Sequence, residues 1–181
     1  VRDAPLKLPP AMAATIADPA RFPFVDKVVA FEEGERLVTQ STLSTEDHPF
    51  LLDHAIEGVP YHPGVMALEM FAQSSLLMKP DACLAGFEEV VFGLPVKLMK
   101  GPMTVRVAAT VERTEGDMTW MRCKLVSDLM NSKGDVFGER DHHEALVRLV
   151  EKQEDLRPFL VHEVDGCLLY TSPSPRDMWT S

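Results

Sequence analysis

The stretch that most constrains this chain runs from Pro63 to Met78, PGVMALEMFAQSSLLM, where apolar residues recur at helical intervals around a single acid. Val65, Leu68, Ala72 and Leu76, flanked by Met66, Met70 and Leu77, cover nearly the whole circumference of a helix. A helix apolar on almost every side is a buried one, so the rest of the chain must supply a surface that wraps it. Pro63 suits the first helical position, because its missing N–H would have no intrahelical partner there. Pro80 disfavours helical geometry at Lys79 and sets the end near Met78. Glu69 and Gln73 lie four apart on one helical face. A glutamate is almost never buried without a partner, so Glu69 needs a reason for its position. Either it has chemistry to do, or it is a structural acid bonded to Gln73, to His62 or to loop backbone.

The segments around this helix read as strands. Val25–Phe31 and Arg36–Leu43 flank the turn residues Glu33–Glu35 and are expected to form a first hairpin. After the helix, Ala85–Val96 is strand-like and broken at Gly93 and Pro95. Thr104–Arg113 alternates cleanly, as a strand does with one face on a core and one in water. Met118–Leu129 pairs with it across Thr114–Asp117, and Asp135–Val150 closes the meander. Strands following one long buried helix imply an α+β architecture, an antiparallel sheet wrapped around a central helix.

Composition bounds the function. The 181 residues suffice for one domain, and 45% apolar content allows a substantial core. A net charge of −10 argues against a nucleic-acid or anionic-membrane partner, since both need a basic surface. No apolar run approaches a membrane span, and the start lacks the basic and apolar regions of a secretory signal. Cys83, Cys123 and Cys167 are too few and too scattered for a disulfide framework or a zinc site. A reducing cytoplasmic setting is expected. Val1–Pro23, rich in proline and alanine and starting without methionine, reads as an interdomain linker in a longer chain.

The loop before the helix carries the candidate chemistry. His54 to Pro63 spell H-x-x-x-G-x-P-x-x-P, followed by Gly64 at the helix start. Gly58 and Pro60 are suited to a turn that aims His54. A histidine of ordinary pKa, about 6.5, can act as a neutral base near pH 7. The bland alternative for His54 is a loop-capping histidine. His62 reads as a turn residue, His48-Pro49 as a strand end, and Asp53 as badly placed to orient its neighbour. His142 and His143 lack the second histidine of H-E-x-x-H and are expected at solvent or edge positions, with no metal bound. The ten methionines are read as core filler.

This pattern resembles the dehydratase domains of modular polyketide synthases and polyunsaturated fatty acid synthases, in their N-terminal hot-dog half. It is also similar to free-standing 3-hydroxyacyl-carrier-protein dehydratases, although this chain has one residue more between His54 and Gly58. EEVVFGLPVKL and HHEALVRL look like the strands that follow the helix in the synthase domains. The resemblance implies a hot-dog fold and dehydration of a 3-hydroxyacyl thioester. It further implies a substrate on the phosphopantetheine arm of an acyl carrier protein, with no metal or nucleotide cofactor. In these terms His54 is the base, Glu69 maps onto the acid of the free-standing enzymes, and a second-repeat aspartate takes that role in the synthase domains. Gly64, with Pro63, would let the thioester carbonyl approach the helix N-terminus, while Gly58, Tyr61 and Gln73 would line the substrate site. A lone hot-dog is expected to pair with a second repeat or with a copy of itself. A non-catalytic hot-dog and a hot-dog thioesterase are the alternatives. The expected boundaries are a linker over 1–23, the hot-dog over 24–152, and a linker toward a second hot-dog over 153–166. The tail over 167–181 contains CLLYTSPSPRD, which resembles translated sequencing-adapter read-through and is set aside.

Overall fold

The computed structural model describes residues 6–16, 22–131 and 133–151. The expected second linker and the anomalous tail, 153–181, lie outside the described residues. In chain order the elements are α1 (Pro10–Ile16), β1 (Lys27–Glu32), β2 (Arg36–Leu43), α2 (Phe50–Asp53), β3 (Ala55–Ile56), β4 (Val59–His62), α3 (Gly64–Met78), β5 (Cys83–Phe92), β6 (Val96–Lys97), β7 (Met103–Glu115), β8 (Met118–Met130) and β9 (Val136–Val150).

Six strands form one antiparallel sheet in the order β1-β2-β7-β8-β9-β5, and α3 lies against it. The alternation read from the sequence sets which residues meet the helix. Val105, Val107 and Ala109 of β7, Met121, Cys123 and Leu125 of β8, and Ala145, Val147 and Leu149 of β9 are buried in one cluster with Ala67, Met70 and Phe71 of α3. Burying side chains of this size contributes roughly 1.5–3 kcal/mol each, which makes this layer the main source of stability. The outward face carries ion pairs, with Arg122 bonded to Glu112 and Glu89 at 2.8 Å each.

The strand boundaries match the sequence reading to within a few residues. A small second sheet, β3-β4-β6, is added beside the main one. Strands this short are held by pairing rather than by their own pattern, so periodicity does not reveal them. Pro63 is the residue before the helix rather than its first, with φ −61° and an extended ψ of 135°. Within the stretch read as a linker, Pro10–Ile16 form a helix, and Met12 and Phe22 are buried against Val25, Leu37 and Leu77.

The central helix departs from the expectation of complete burial. Ala67, Met70 and Phe71 are buried, but Val65 is 65% exposed and Glu69 is exposed as well. Apolar periodicity alone cannot separate a surface facing this chain's own sheet from one left open to another. The buried serines explain why that inner face is not wholly apolar. The Ser74 and Thr39 hydroxyls are bonded at 2.7 Å, and Ser75 Oγ lies 3.4 Å from Cys123 Sγ. Burial pushes the Cys123 thiol up to about 12, so it is an inert core residue.

Candidate active site

His54 ends the four-residue α2, and a tight hairpin follows it. Ile56 and Val59 pair across Glu57 and Gly58, both at positive φ, 52° and 77°. That combination is the type I′ geometry a two-residue hairpin favours, and glycine adopts it without steric cost. The hairpin returns Tyr61 to His54, where the Tyr61 N–H donates to the His54 carbonyl at 3.0 Å. The His54 ring closes the same loop, with Nδ1 2.9 Å from the Tyr61 carbonyl. A carbonyl only accepts, so Nδ1 carries the hydrogen in the neutral ring and Nε2 keeps its lone pair. His54 itself is exposed. Tyr61, expected to line the substrate site, meets the His54 ring through its backbone carbonyl, which fixes the tautomer.

Gly64 opens α3 three residues beyond Tyr61, so the hairpin and the helix N-terminus are adjacent. A Cβ on Gly64 would stand 2.7 Å from Phe92 Cδ1, so the aromatic ring rests directly on this glycine. The first N–H groups of a helix have no intrahelical acceptor and carry positive potential. His54, Gly58, Tyr61, Pro63 and Gly64 therefore form one continuous loop-to-helix unit.

Glu69 and Gln73 stand apart from it. Gln73 Nε2 donates to Glu69 Oε1 at 2.8 Å, while Gln73 Oε1 accepts the Phe24 N–H at 2.9 Å. This is the Glu–Gln pairing considered from the sequence, but at an exposed rather than a buried glutamate. Glu69 is thus not desolvated within the single chain. The two residues line a cavity of about 430 Å³ whose other walls include Met12, Phe22, Phe31 and Leu76. His54 is not among the residues lining it.

Sequence reasoning misjudged the other histidines. His62 ends β4 with 3% of its surface exposed, and His142 and His143 lie inside β9 with 3% and 6% exposed. β9 is an interior strand, between β8 and β5, so positions expected at an edge are enclosed on both sides. Nδ1 of His142 donates to the Leu94 carbonyl at 2.9 Å and its Nε2 meets the Ser127 hydroxyl at 2.8 Å. Among the described residues, neither ring nitrogen of His62 has a hydrogen-bond partner. Burial lowers all three histidines, His62 to about 4, and the neighbouring histidines His143, His48, His54 and His142 push His62 further down. His48, expected at a strand end, lies in the loop after β2 and stacks on Phe24 at 5.2 Å. No group of three or more potential ligands suited to a metal occurs among the described residues.

A family model described as the polyketide synthase dehydratase domain matches residues 23–128. The chain is 32% identical over 117 residues to a 3-hydroxyacyl-acyl-carrier-protein dehydratase FabZ of Hydrogenobaculum sp., covering 56% of this chain and 78% of that protein. It is 35% identical over 113 residues to the FabZ of Escherichia coli, covering 56% of this chain and 72% of that one. Among solved structures it is similar to the dehydratase domain from the terminal module of the rifamycin polyketide synthase. That likeness has a TM-score of 0.52 at 25% identity and covers 74% of this chain but 44% of the larger domain. The dehydratase heterocomplex ApeI:P from Xenorhabdus doucetiae shares the fold, with a TM-score of 0.57 at 15% identity over 82% of this chain and 94% of that one.

Proposed function

This chain belongs to the family of polyketide synthase dehydratase domains and is a hot-dog 3-hydroxyacyl-acyl-carrier-protein dehydratase, in which we propose that His54 is the catalytic base. The observation that carries this is the His54 ring itself, with Nδ1 tied to the Tyr61 carbonyl and Nε2 free.

His54 Nε2 removes the α-proton of the 3-hydroxyacyl thioester, and the electron pair moves toward the thioester carbonyl. The backbone N–H groups at Gly64 stabilise the enolate charge that develops there. The pair then returns to form the α–β double bond as the C3–O bond breaks. A protonated carboxyl gives its proton to the departing hydroxyl, which leaves as water. No metal or nucleotide is required, and the acyl group arrives on the arm of a carrier protein.

Glu69 supplies that carboxyl where the facing hot-dog is a second copy of this chain. Its exposure, and its place in a cavity that His54 does not line, support a site completed across an interface. Two pairings are open to this chain: a second copy, whose Glu69 meets this His54, or a second hot-dog repeat, whose aspartate takes the place of Glu69. In either case residues 24–152 are the hot-dog unit, with 1–23 leading in and 153–166 leading toward the next. No helix among the described residues is long and apolar enough to cross a membrane.

The test is dehydration and its reversal on a short 3-hydroxyacyl thioester, for the wild type, His54→Ala and Glu69→Gln. Loss of a general base or acid costs about 10² to 10⁴-fold in rate. A drop of that size in both variants supports a homodimeric site. A drop in His54→Ala alone assigns the acid to a second repeat, and unaltered turnover in His54→Ala rejects the base.

A further inference from the structure

Resting on His54 as the base, we propose that His62 is a positioning residue: its neutral ring seats the catalytic hairpin in the core, and a proton on it releases that hairpin and withdraws His54. Of residues 54–62, His62 alone is buried. Tyr61 beside it is half-buried, and its N–H and carbonyl hold the carbonyl and the ring of His54. Neighbouring side chains in a strand point to opposite faces, so the His62 ring turns inward where Tyr61 turns outward. There it meets the Phe24 ring edge-on, with centroids 6.2 Å apart and planes at 88°. The next residues, Pro63 and Gly64, open α3, so the same anchor leads directly into the helix N-terminus.

An apolar residue would seat the hairpin at any pH, whereas an imidazole does so only while neutral. Neither ring nitrogen of His62 has a hydrogen-bond partner among the described residues. The titratable groups that act on it are His143 and His142 of β9, His48 in the loop after β2 and His54 at the end of α2. On the elements around it, Asp53 of α2, Glu57 of the hairpin turn, Lys97 of β6 and Glu69 of α3 are exposed, and none is among the groups that shift it. A proton on the buried ring therefore stands beside four imidazoles, with no counter-charge among these groups. Water is the solvent that accepts such a charge, and the ring reaches it by leaving its seat.

The weakest structure around the ring yields first. β4 is held by two registered pairs to β3 and two to β6, whereas β8 and β9 pair along almost their whole length. Elements with so little pairing open at a lower free energy than the whole fold. Opening β4 parts Tyr61 from His54 and removes the carbonyl that keeps the hydrogen on Nδ1. In the closed hairpin the His62 pKa is lowered from 6.5 to about 4 by burial and then by the neighbouring histidines, and in the open hairpin it returns to the ordinary value. The open form therefore gains as the pH falls through 6.5, and the gain levels off near 4. Between pH 7 and pH 5 this linkage raises the open population about twentyfold.

The experiment is amide hydrogen exchange of the full chain at pH 7 and pH 5, corrected for the intrinsic pH dependence of exchange. Its reporters are the Tyr61 N–H, bonded to the His54 carbonyl at 3.0 Å, and the Leu98 N–H, bonded to the Pro60 carbonyl at 2.9 Å. At pH 7 both should be less protected than the amides of β8. At pH 5 their protection should fall about twentyfold, and it should return at pH 7. His62→Phe and His62→Gln, which take up no proton, should lose most of this pH dependence. The ratio of turnover at pH 5 to turnover at pH 7 should be higher in His62→Phe than in the wild type. Equal protection at the two pH values, a fall as large in both variants as in the wild type, reporters that exchange only at the rate of the β8 amides, or an unchanged turnover ratio in an active enzyme overturns the assignment. Exchange needs no substrate, so failure of His54 as the base, read as turnover surviving in His54→Ala, is distinct from failure of the His62 anchor.

Discussion

His62 is a polar residue in the wrong place for its own stability. It is 3% exposed, has no hydrogen-bond partner among the described residues, and lies within electrostatic reach of four further histidines, His48, His54, His142 and His143, with no carboxylate among the groups that shift it. Its pKa is lowered from 6.5 to about 4, so the folded chain refuses a proton that the unfolded chain accepts. Stability contributed by the neutral ring is therefore full above pH 6.5, falls as the pH drops below it, and levels off near 4. The shift corresponds to about 3 kcal/mol. His142 and His143, lowered in the same direction, add to the slope. Urea unfolding at pH 7 and pH 5 should show about 2 kcal/mol of this loss in the wild type, since the remainder comes below pH 5, and a smaller loss in His62→Phe. At pH 7 His62→Phe should be neutral or stabilising, because an unsatisfied buried polar group is replaced by an apolar ring of similar shape. An unchanged pH slope in the variant would refute the account. None of this was legible in the sequence, where His62 read as a turn residue and His142 and His143 as edge positions. Burial of a short strand is decided by what packs on it, and single-residue context carries no trace of that.

At the scale of elements, two glycines with close contacts make contrasting predictions. A Cβ on Gly64 meets the ring of Phe92, which is 52% exposed and free to turn away. A Cβ on Gly93 would stand 2.5 Å from the backbone carbonyl of His142, the same carbonyl that accepts the Gly93 N–H at 2.9 Å. Gly93→Ala should therefore cost about 1–3 kcal/mol and Gly64→Ala clearly less, because a side chain yields where a paired strand cannot. Thermal unfolding of both, with Gly64→Ala combined with Phe92→Ala, is the check, and equal costs at the two sites would contradict it. The main strands and α3 were legible because alternation and helical spacing survive wherever one face is buried. The exposed line through Val65 and Glu69 was not, because an apolar residue waiting for a partner looks the same in sequence as one already in a core. Of the candidate site, the H-x-x-x-G-x-P-x-x-P spacing located the His54 hairpin, whereas the Tyr61 contact to the His54 ring is made by a backbone carbonyl that its side chain does not advertise.

For the whole molecule, the surface left apolar predicts association. Val65, Val91, Phe92 and Leu94 are each more than half exposed, and Phe92 sits over the helix start next to Val65. β5, which contains Val91 and Phe92, is also an outer strand of the main sheet with one side of its ladder unpaired. Sedimentation of the full chain should give a dimer in the micromolar range, and Val65→Lys should shift it to monomer without altering the far-ultraviolet spectrum. A wild-type monomer at high concentration would argue against a second copy of this chain as the cover for this face.

The strand order has a consequence in time. β5 pairs with β9, the last strand among the described residues, and β2 pairs with β7, which follows the helix in sequence. On the ribosome, α3 emerges before β7, β8 and β9, which pack against it, and no native ladder for β5 exists until β9 has begun to appear at His143. Closing such distant pairs spends chain entropy before any contact returns it, which places this topology among the slow, millisecond-to-second folders. The interval before β9 arrives is when an apolar helix and an open strand are most available to the wrong neighbour.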